Sequence, residues 1–286
     1  MKLITPYANS FGRANIEIRH FPDTESYVRI PQINSLKNKK VTIYHRLYPE
    51  PEKRFFELLL ILSRIKEKTK QIELFVPYLP YARQNRESKT GETISADVLC
   101  ALLKNFGVKK LITYDCHFLP RPGNFKRSRL LIENKSAGKQ LVAYARKYFA
   151  KEKFTVISPD EGSSYFIENA EGHKRHSLQK KRKRNSEHGL ETEIHKIESE
   201  TDAEKDIRGK NVCILDDIIA TGGTIMHATA HLKKLGAKKI IVGATHGVFV
   251  GDKIAKKILK HSEHLFVTNS IEQGNFLPVI SLFDKY

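Results

Sequence analysis

Short β-rich runs alternate with helical segments along most of this chain, and the alternation constrains the fold more than any other feature. Strands are predicted at 41–47, 72–77, 110–115, 154–158, 212–216, 239–245 and 264–268. Between them, the spacing of apolar residues predicts amphipathic helices at 52–68, 95–106, 137–150, 222–235 and 252–261. Strands that alternate with helices are typical of βαβ units around a parallel sheet. The sequence therefore predicts an α/β fold.

The strand and helix pattern restarts near Lys135, which suggests two halves of similar design. A chain of 286 residues is long enough for two domains with separate cores. We predict an N-terminal domain over 1–136, completed by 272–286, and a C-terminal domain over 137–271.

Apolar runs such as 55–62 are too short to span a membrane, and the N-terminus lacks the apolar core of a signal peptide. The three cysteines have no CxxC spacing, so the sequence suggests neither a disulfide framework nor a zinc cluster. We expect a cytoplasmic protein without a membrane partner.

The formal net charge of +18 attracts polyanions. Nucleic acid is one such partner, but nucleotides and sugar phosphates are polyanions too, so the charge does not select among them. We expect small phosphorylated ligands rather than nucleic acid.

The segment VCILDDIIATGGT, residues 212–224, carries the most chemistry. Asp216 and Asp217 fall at the end of a predicted strand, where ligands of parallel sheets bind. The following residues 221–224, Thr-Gly-Gly-Thr, open a helix, where small residues let backbone N–H groups close around a phosphate. The acids repel phosphate, but they can accept hydrogen bonds from hydroxyls or help to hold a cation. A phosphorylated sugar fits both parts, whereas a simple cap and turn would explain one Asp and one Gly.

This segment resembles the phosphoribosyl diphosphate (PRPP) loop of type I phosphoribosyltransferases and of ribose-phosphate diphosphokinases. Segments 21–30, 76–99, 111–118 and 156–164 resemble further parts of the diphosphokinases, so the chain is identified as a member of that family. The resemblance implies two similar phosphoribosyltransferase-like domains, each a mainly parallel sheet flanked by helices. It also implies Mg²⁺-dependent transfer of diphosphate from ATP to the C1 hydroxyl of ribose 5-phosphate. Asp216, Asp217, Thr221, Gly222, Gly223 and Thr224 would bind the ribose 5-phosphate.

No GxxxxGK[ST] is present, so an ATP site must be built without a P-loop. Arg83, Gln84 and Arg86 offer two guanidinium groups and an amide near a strand end, suited to phosphates and an adenine edge. A surface cluster is the alternative reading of the two arginines.

A second group of ATP contacts follows from the resemblance alone. In the family, the segment that matches 21–30 reaches the adenine from a neighbouring subunit, which assigns Phe21, Asp23 and Glu25 to ATP. The active site then requires a homodimer or a larger homo-oligomer.

Two candidate metal ligands follow predicted strands. By resemblance His117 is a magnesium ligand or lies beside ATP, although a lone histidine at a sheet end is more often structural. Asp160 is the better candidate, because magnesium prefers oxygen ligands and substrate phosphates. Asp115 belongs to the same element as His117, and an internal hydrogen-bond acceptor is an equal interpretation of it.

Residues 173–184, HKRHSLQKKRKR, hold seven Lys or Arg in twelve positions. We predict a basic mobile loop at about 172–190. The match of LQKKR to the family's catalytic loop assigns Lys180 and Arg182 to catalysis, with Lys181 and Arg184 as rival registers. A solvated loop or a nucleic-acid patch is the alternative.

Four positions depart from the family's usual pattern: Thr24 replaces Gly, Asn85 replaces Asp, and Ser163 and Ser164 replace glycine. Two other functions therefore remain open at this point. One is a phosphoribosyltransferase that uses PRPP, and the other is a catalytically weak homologue with a regulatory or nucleic-acid-binding role.

Overall fold

A computed structural model shows the chain as two compact units, Met1–Lys135 and Ser136–Tyr286. The structure describes residues 1–150, 152–159, 165, 175–182, 192–197, 200–251, 253–273 and 277–282. The first unit ends one residue before the boundary that the sequence predicts.

The N-terminal unit is built on one six-stranded sheet. In chain order its elements are β1 (Lys2–Ile4), β2 (Glu17–His20), β3 (Ser26–Arg29), β4 (Val41–Tyr44), α1 (Pro51–Ile65), β5 (Ile72–Phe75), α2 (Ser95–Asn105), β6 (Val108–Tyr114), β7 (Gly123–Arg127) and β8 (Leu130–Lys135). The sheet order is β1-β4-β5-β6-β8-β7, while β2 and β3 form a separate hairpin. All neighbours in the large sheet are parallel except β7 and β8.

The core of this unit explains why its helices form where the sequence predicts them. Leu58, Ile61, Leu62 and Ile65 on α1 are fully buried, and their spacing places them on one helical stripe. They share a core with inward-facing strand residues, including Ile43, Leu74, Leu111 and Ile132. Burial of each such side chain contributes roughly 1.5–3 kcal/mol to the free energy of folding.

The C-terminal unit contains a seven-stranded sheet. Its elements are α3 (Gly138–Tyr148), β9 (Phe154–Ser158), β10 (Arg175–Arg182), β11 (Thr192–Ile197), α4 (Glu200–Ile207), β12 (Asn211–Ile219), α5 (Gly223–Lys234), β13 (Lys239–Gly247), α6 (Ile254–Leu259), β14 (His264–Thr268) and β15 (Val279–Ile280). The order is β11-β10-β9-β12-β13-β14-β15, and only β10 and β11 are antiparallel.

Both units are mainly parallel sheets flanked by helices, which confirms the predicted fold class. None of the helices in the described part of the chain has the length and apolar character that a membrane crossing requires. The three cysteines are all described, are buried and form no disulfide.

Two predicted features differ in the structure. Part of the basic run, Arg175–Arg182, is strand β10 rather than a loop, because its backbone pairs with β9 on one side and with β11 on the other. The segment 272–286 is predicted to complete the N-terminal domain, but Val279–Ile280 pairs with β14 of the C-terminal unit.

Candidate active site

Asp216 and Asp217 lie in the second half of β12, the middle strand of the C-terminal sheet. The strand continues to Ile219, past its predicted end, with Asp216 opposite Ala244 on β13. The two residues are only 5% and 7% exposed. The backbone N–H of Asp217 donates to Oδ1 of Asp216 over 2.9 Å. Two buried acids thus stand at the carboxyl end of a central strand.

The backbone after β12 turns sharply into α5. The carbonyl of Ile219 accepts hydrogen bonds from the N–H groups of Val248 and Phe249, at 3.0 and 3.1 Å, which fixes the start of the turn. Gly222 has φ 75° and caps α5, and the helix begins at Gly223. The first N–H groups of a helix have no intrahelical partner and carry partial positive charge. Residues 221–224 therefore offer donors to an anion beside the two acids.

Gly222 is the most restricted position in this turn. Its left-handed backbone disfavours any side chain, and an added Cβ would lie 3.1 Å from Cγ2 of Ile254 and 3.3 Å from Cδ1 of Ile258. We expect Gly222→Ala to lower the free energy of unfolding by about 1–3 kcal/mol, measured by denaturant titration.

Gly223→Ala is the matched control for that substitution. Its added Cβ would have Oγ1 of Thr221 as its nearest neighbour, at 3.9 Å, so the fold should accept it. We expect its free energy of unfolding to stay within about 0.5 kcal/mol of the unsubstituted chain. Equal losses in both variants would contradict a special conformation at Gly222.

In the N-terminal unit, two predicted ATP segments follow neighbouring parallel strands. Arg83, Gln84 and Arg86 are exposed on the loop after β5, and His117 is exposed in the turn after β6. The hydroxyl of Ser95 donates to Oε1 of Gln84 over 2.6 Å, which orients that amide. Since the carboxyl ends of parallel strands meet at one edge, the structure brings these residues to the same edge of the sheet.

Arg127 joins these two segments, and no pattern in the sequence points to it. Its Nε donates to Oδ1 of Asp97 over 2.6 Å, and its Nη2 donates to the carbonyl of Asn85 over 2.7 Å. Its guanidinium also lies 4.4 Å from the ring centre of Phe118, next to His117. Because Arg127 uses the backbone oxygen of Asn85, this contact does not depend on the side chain at that position.

Two further groups near this edge stay neutral. His45 follows β4, and burial lowers its pKa to about 3 while the Arg54 carbonyl accepts a hydrogen bond from its Nε2 over 3.0 Å. Tyr81 lies two residues before Arg83. Burial, the largest cause, and the hydrogen bond to Glu52, the second cause, raise the pKa of Tyr81 to about 12. Neither group therefore adds charge at this edge near neutral pH.

Phe21, Asp23 and Glu25 occupy the turn between β2 and β3. The N–H of Phe21 donates to the carbonyl of Glu25 over 2.9 Å, and the N–H of Glu25 donates to Oδ1 of Asp23 over 3.1 Å. Phe21 is 52% exposed, with its ring edge-on to Tyr27. Thr24 has φ 74°, a conformation that favours glycine, which is the residue that the resemblance expects there.

Metal ligands are predicted at His117 and Asp160. Nowhere in the described ranges do three or more His, Cys, Asp or Glu side chains come together as a metal cluster. Asp115, directly after β6, is fully buried.

The remaining predictions concern the segments around β10. The backbones of Lys180, Lys181 and Arg182 lie in β10, with Lys180 opposite Ile194 and Arg182 opposite Thr192 on β11. Residues two apart on a strand belong to the same face, so Lys180 and Arg182 share a face that Lys181 does not. Asp160, Ser163, Ser164 and Arg184 lie outside the described residues.

Comparison with known proteins covers both units. Residues 8–107 match a family model for the N-terminal domain of ribose phosphate pyrophosphokinase, and residues 131–279 match a phosphoribosyl transferase domain. The ribose-phosphate pyrophosphokinase of Sulfurisphaera tokodaii is 33% identical, across 90% of this chain and 85% of the relative. That of Pyrococcus furiosus is 34% identical, across 90% and 86%.

A solved structure shows the same fold. The phosphoribosylpyrophosphate synthetase from Mycobacterium smegmatis superposes with a TM-score of 0.77 at 24% sequence identity. The match covers 99% of this chain and 94% of that one.

Proposed function

The chain belongs to the ribose-phosphate pyrophosphokinase family, and we infer from this that it transfers the diphosphoryl group of ATP to the C1 hydroxyl of ribose 5-phosphate. The products are PRPP, a precursor in nucleotide biosynthesis, and AMP. The observation that carries this conclusion is the match of residues 8–107 to the N-terminal domain of the family. A simple phosphoribosyltransferase would be expected to match only the second half.

We assign ribose 5-phosphate to the turn after β12. Residues 221–224 would bind the 5-phosphate through backbone N–H groups at the start of α5, where the helix dipole favours an anion. Asp216 and Asp217 would accept hydrogen bonds from the ribose hydroxyls. The burial of both acids supports this role, because hydrogen bonds to charged groups are stronger where water is excluded.

We assign ATP to the carboxyl edge of the N-terminal sheet. Arg83 and Arg86 would bind the phosphates, and Gln84 would contact the adenine edge. Their exposure at one edge, beside His117, supports this assignment.

The exposed turn between β2 and β3 would complete the nucleotide site. The resemblance places Phe21, Asp23 and Glu25 on ATP bound to a neighbouring subunit. We therefore propose that the enzyme acts as a homodimer or a larger homo-oligomer. We also propose that it works in the cytoplasm.

The reaction needs alignment and positive charge more than a covalent intermediate. The C1 hydroxyl oxygen attacks the β-phosphorus, the bond from that phosphorus to the α-phosphate oxygen breaks, and AMP leaves. Lys180 and Arg182 would stabilise the negative charge on the moving group. We propose that Asp160, His117 and the substrate phosphates would hold Mg²⁺, and that the bound ion would offset the charge of ATP.

The function is tested by incubating the chain with ATP, ribose 5-phosphate and Mg²⁺, and separating the products by chromatography. We expect AMP and PRPP in equal amounts, and neither product when ribose 5-phosphate is replaced by ribose. Consumption of PRPP in the presence of a purine or pyrimidine base, without formation of AMP from ATP, would instead show a phosphoribosyltransferase.

A further inference from the structure

Glu57, in the middle of α1, is a fully buried carboxylate that binds the β2–β3 hairpin. Its Oε1 accepts a hydrogen bond from Oγ of Ser26 over 3.1 Å and one from Nε2 of His20 over 2.8 Å. The side chain of Glu57 is 0% exposed, whereas that of His20 is 33% exposed. A buried carboxylate is costly unless it is hydrogen-bonded or paired, so these contacts are strong constraints.

The two partners of Glu57 are the last pair of the hairpin before its turn. His20 and Ser26 lie opposite each other at the end of the β2–β3 ladder, directly next to Phe21 and Glu25. One carboxylate oxygen therefore holds both strands at the point where the turn begins.

This hairpin needs such an anchor. It is a separate two-stranded sheet, and isolated two-stranded hairpins are at best marginally stable in water. Ile18 and Val28 pack against the core of the N-terminal unit near the middle of the hairpin. Beyond them, toward the turn, Glu57 provides a polar attachment to α1.

The charge of Glu57 also has neighbours beneath the hairpin. Burial and the nearby Glu57 raise the pKa of Tyr7, while Arg54, whose guanidinium lies 4.0 Å from the ring centre of Tyr7, acts in the opposite direction. Arg54 is one helical turn before Glu57 on α1. The carboxylate is thus part of a polar cluster with Tyr7 and Arg54.

We propose that Glu57 is a positioning residue for ATP binding. It does not touch the nucleotide; it fixes the end of the hairpin so that Phe21, Asp23 and Glu25 meet ATP without a further loss of conformational entropy. This inference rests on the proposed role of the hairpin in binding ATP. Substitution of Glu57 should therefore weaken the binding of ATP and leave the binding of ribose 5-phosphate unchanged.

Steady-state kinetics of Glu57→Met provide the first test. We expect the KM for ATP to rise about tenfold, as one lost charged hydrogen bond would give, while the KM for ribose 5-phosphate changes less than about twofold. Glu57→Gln keeps an acceptor oxygen and should restore part of the ATP affinity. Glu67→Met is the matched control, because Glu67 is 51% exposed and lies beyond the end of α1.

A second readout follows the hairpin itself. The chain contains no tryptophan, so Phe21→Trp introduces a single indole fluorophore at the turn. In that background we expect Glu57→Met, but not Glu67→Met, to increase the amplitude of nanosecond motion in time-resolved fluorescence anisotropy. If Glu57→Met does not fold, Ser26→Ala removes one of the two hydrogen bonds from the hairpin side and should raise the KM for ATP about threefold.

The outcomes separate this proposal from the proposed function. An unchanged KM for ATP in folded Glu57→Met, or in Ser26→Ala where Glu57→Met does not fold, would overturn the positioning role. If the introduced indole moves more while the KM for ATP stays unchanged, the proposed role of the hairpin in ATP binding would be overturned as well. Absence of AMP formation by the unsubstituted chain would overturn the proposed function instead.

Discussion

Lys180→Ala is expected to lower kcat by about a hundredfold or more, while the KM for ATP changes less than about threefold. The reason is that a cation directed at a moving diphosphoryl group interacts more strongly with the transition state than with bound ATP. Initial-rate kinetics with ATP and ribose 5-phosphate varied separately measure both quantities.

Lys181→Ala is the control for this prediction, because it removes the same charge one position along β10. Residues 180 and 182 belong to one face of the strand and residue 181 to the other, so Lys181→Ala should retain most of the activity. If Lys181→Ala lowered kcat more than Lys180→Ala does, the catalytic pair would be that of the rival register, Lys181 and Arg184. An unchanged kcat in Lys180→Ala would show that Lys180 is not a catalytic residue.

Asp217→Asn is expected to raise the KM for ribose 5-phosphate about ten- to hundredfold, with the KM for ATP almost unchanged. The substitution keeps the shape of a side chain that is 7% exposed but removes a charged acceptor for a ribose hydroxyl. Hydrogen bonds to charged groups typically contribute about 1.5–3 kcal/mol, which corresponds to this range. Kinetics at saturating ATP measure the effect.

Glu204→Gln, on α4 of the same unit, is the control for Asp217→Asn, since it makes the same chemical change away from the turn. We expect it to leave both KM values unchanged. A folded Asp217→Asn that binds ribose 5-phosphate normally would contradict our assignment of the sugar to the end of β12.

The predicted strands and helices are close to those observed wherever local pattern and burial agree. The helix predicted at 52–68 forms at Pro51–Ile65, and the strand predicted at 239–245 forms at Lys239–Gly247. Helix α1 carries apolar residues at helical spacing, and β13 has, after Lys239, a continuous apolar run that is buried; a single sequence reveals both patterns. Helix α1 ends at Ile65, three residues before its predicted end, and the N–H groups of Lys68 and Thr69 both donate to the Ile65 carbonyl in the turn that follows.

The sequence does not predict strand β10, because no local pattern of residues marks it as a strand. Its charges are typical of a solvated loop, and only pairing with β9 and β11 gives it strand geometry. The sequence does not predict the β2–β3 hairpin for a related reason: its turn has Thr24 where glycine is favoured, and the acceptor Glu57 that binds its end lies on α1.

The candidate site shows the same division. Residues 216–224 are contiguous, so their motif can be found in the sequence and their spacing places them together. Arg127 and Glu57 are far in sequence from the groups that they hold, and nothing in their own neighbourhoods marks them. Such supporting residues emerge only when the strands and helices are packed.

The central claim is that the diphosphoryl group moves intact from ATP to ribose 5-phosphate, and transfer of label from γ-phosphate-labelled ATP tests it most directly. We expect the label to appear in PRPP in a one-to-one ratio with unlabelled AMP, and none as inorganic phosphate. Label released as inorganic phosphate, or ADP formed in place of AMP, would show that the diphosphoryl group does not move intact to ribose 5-phosphate.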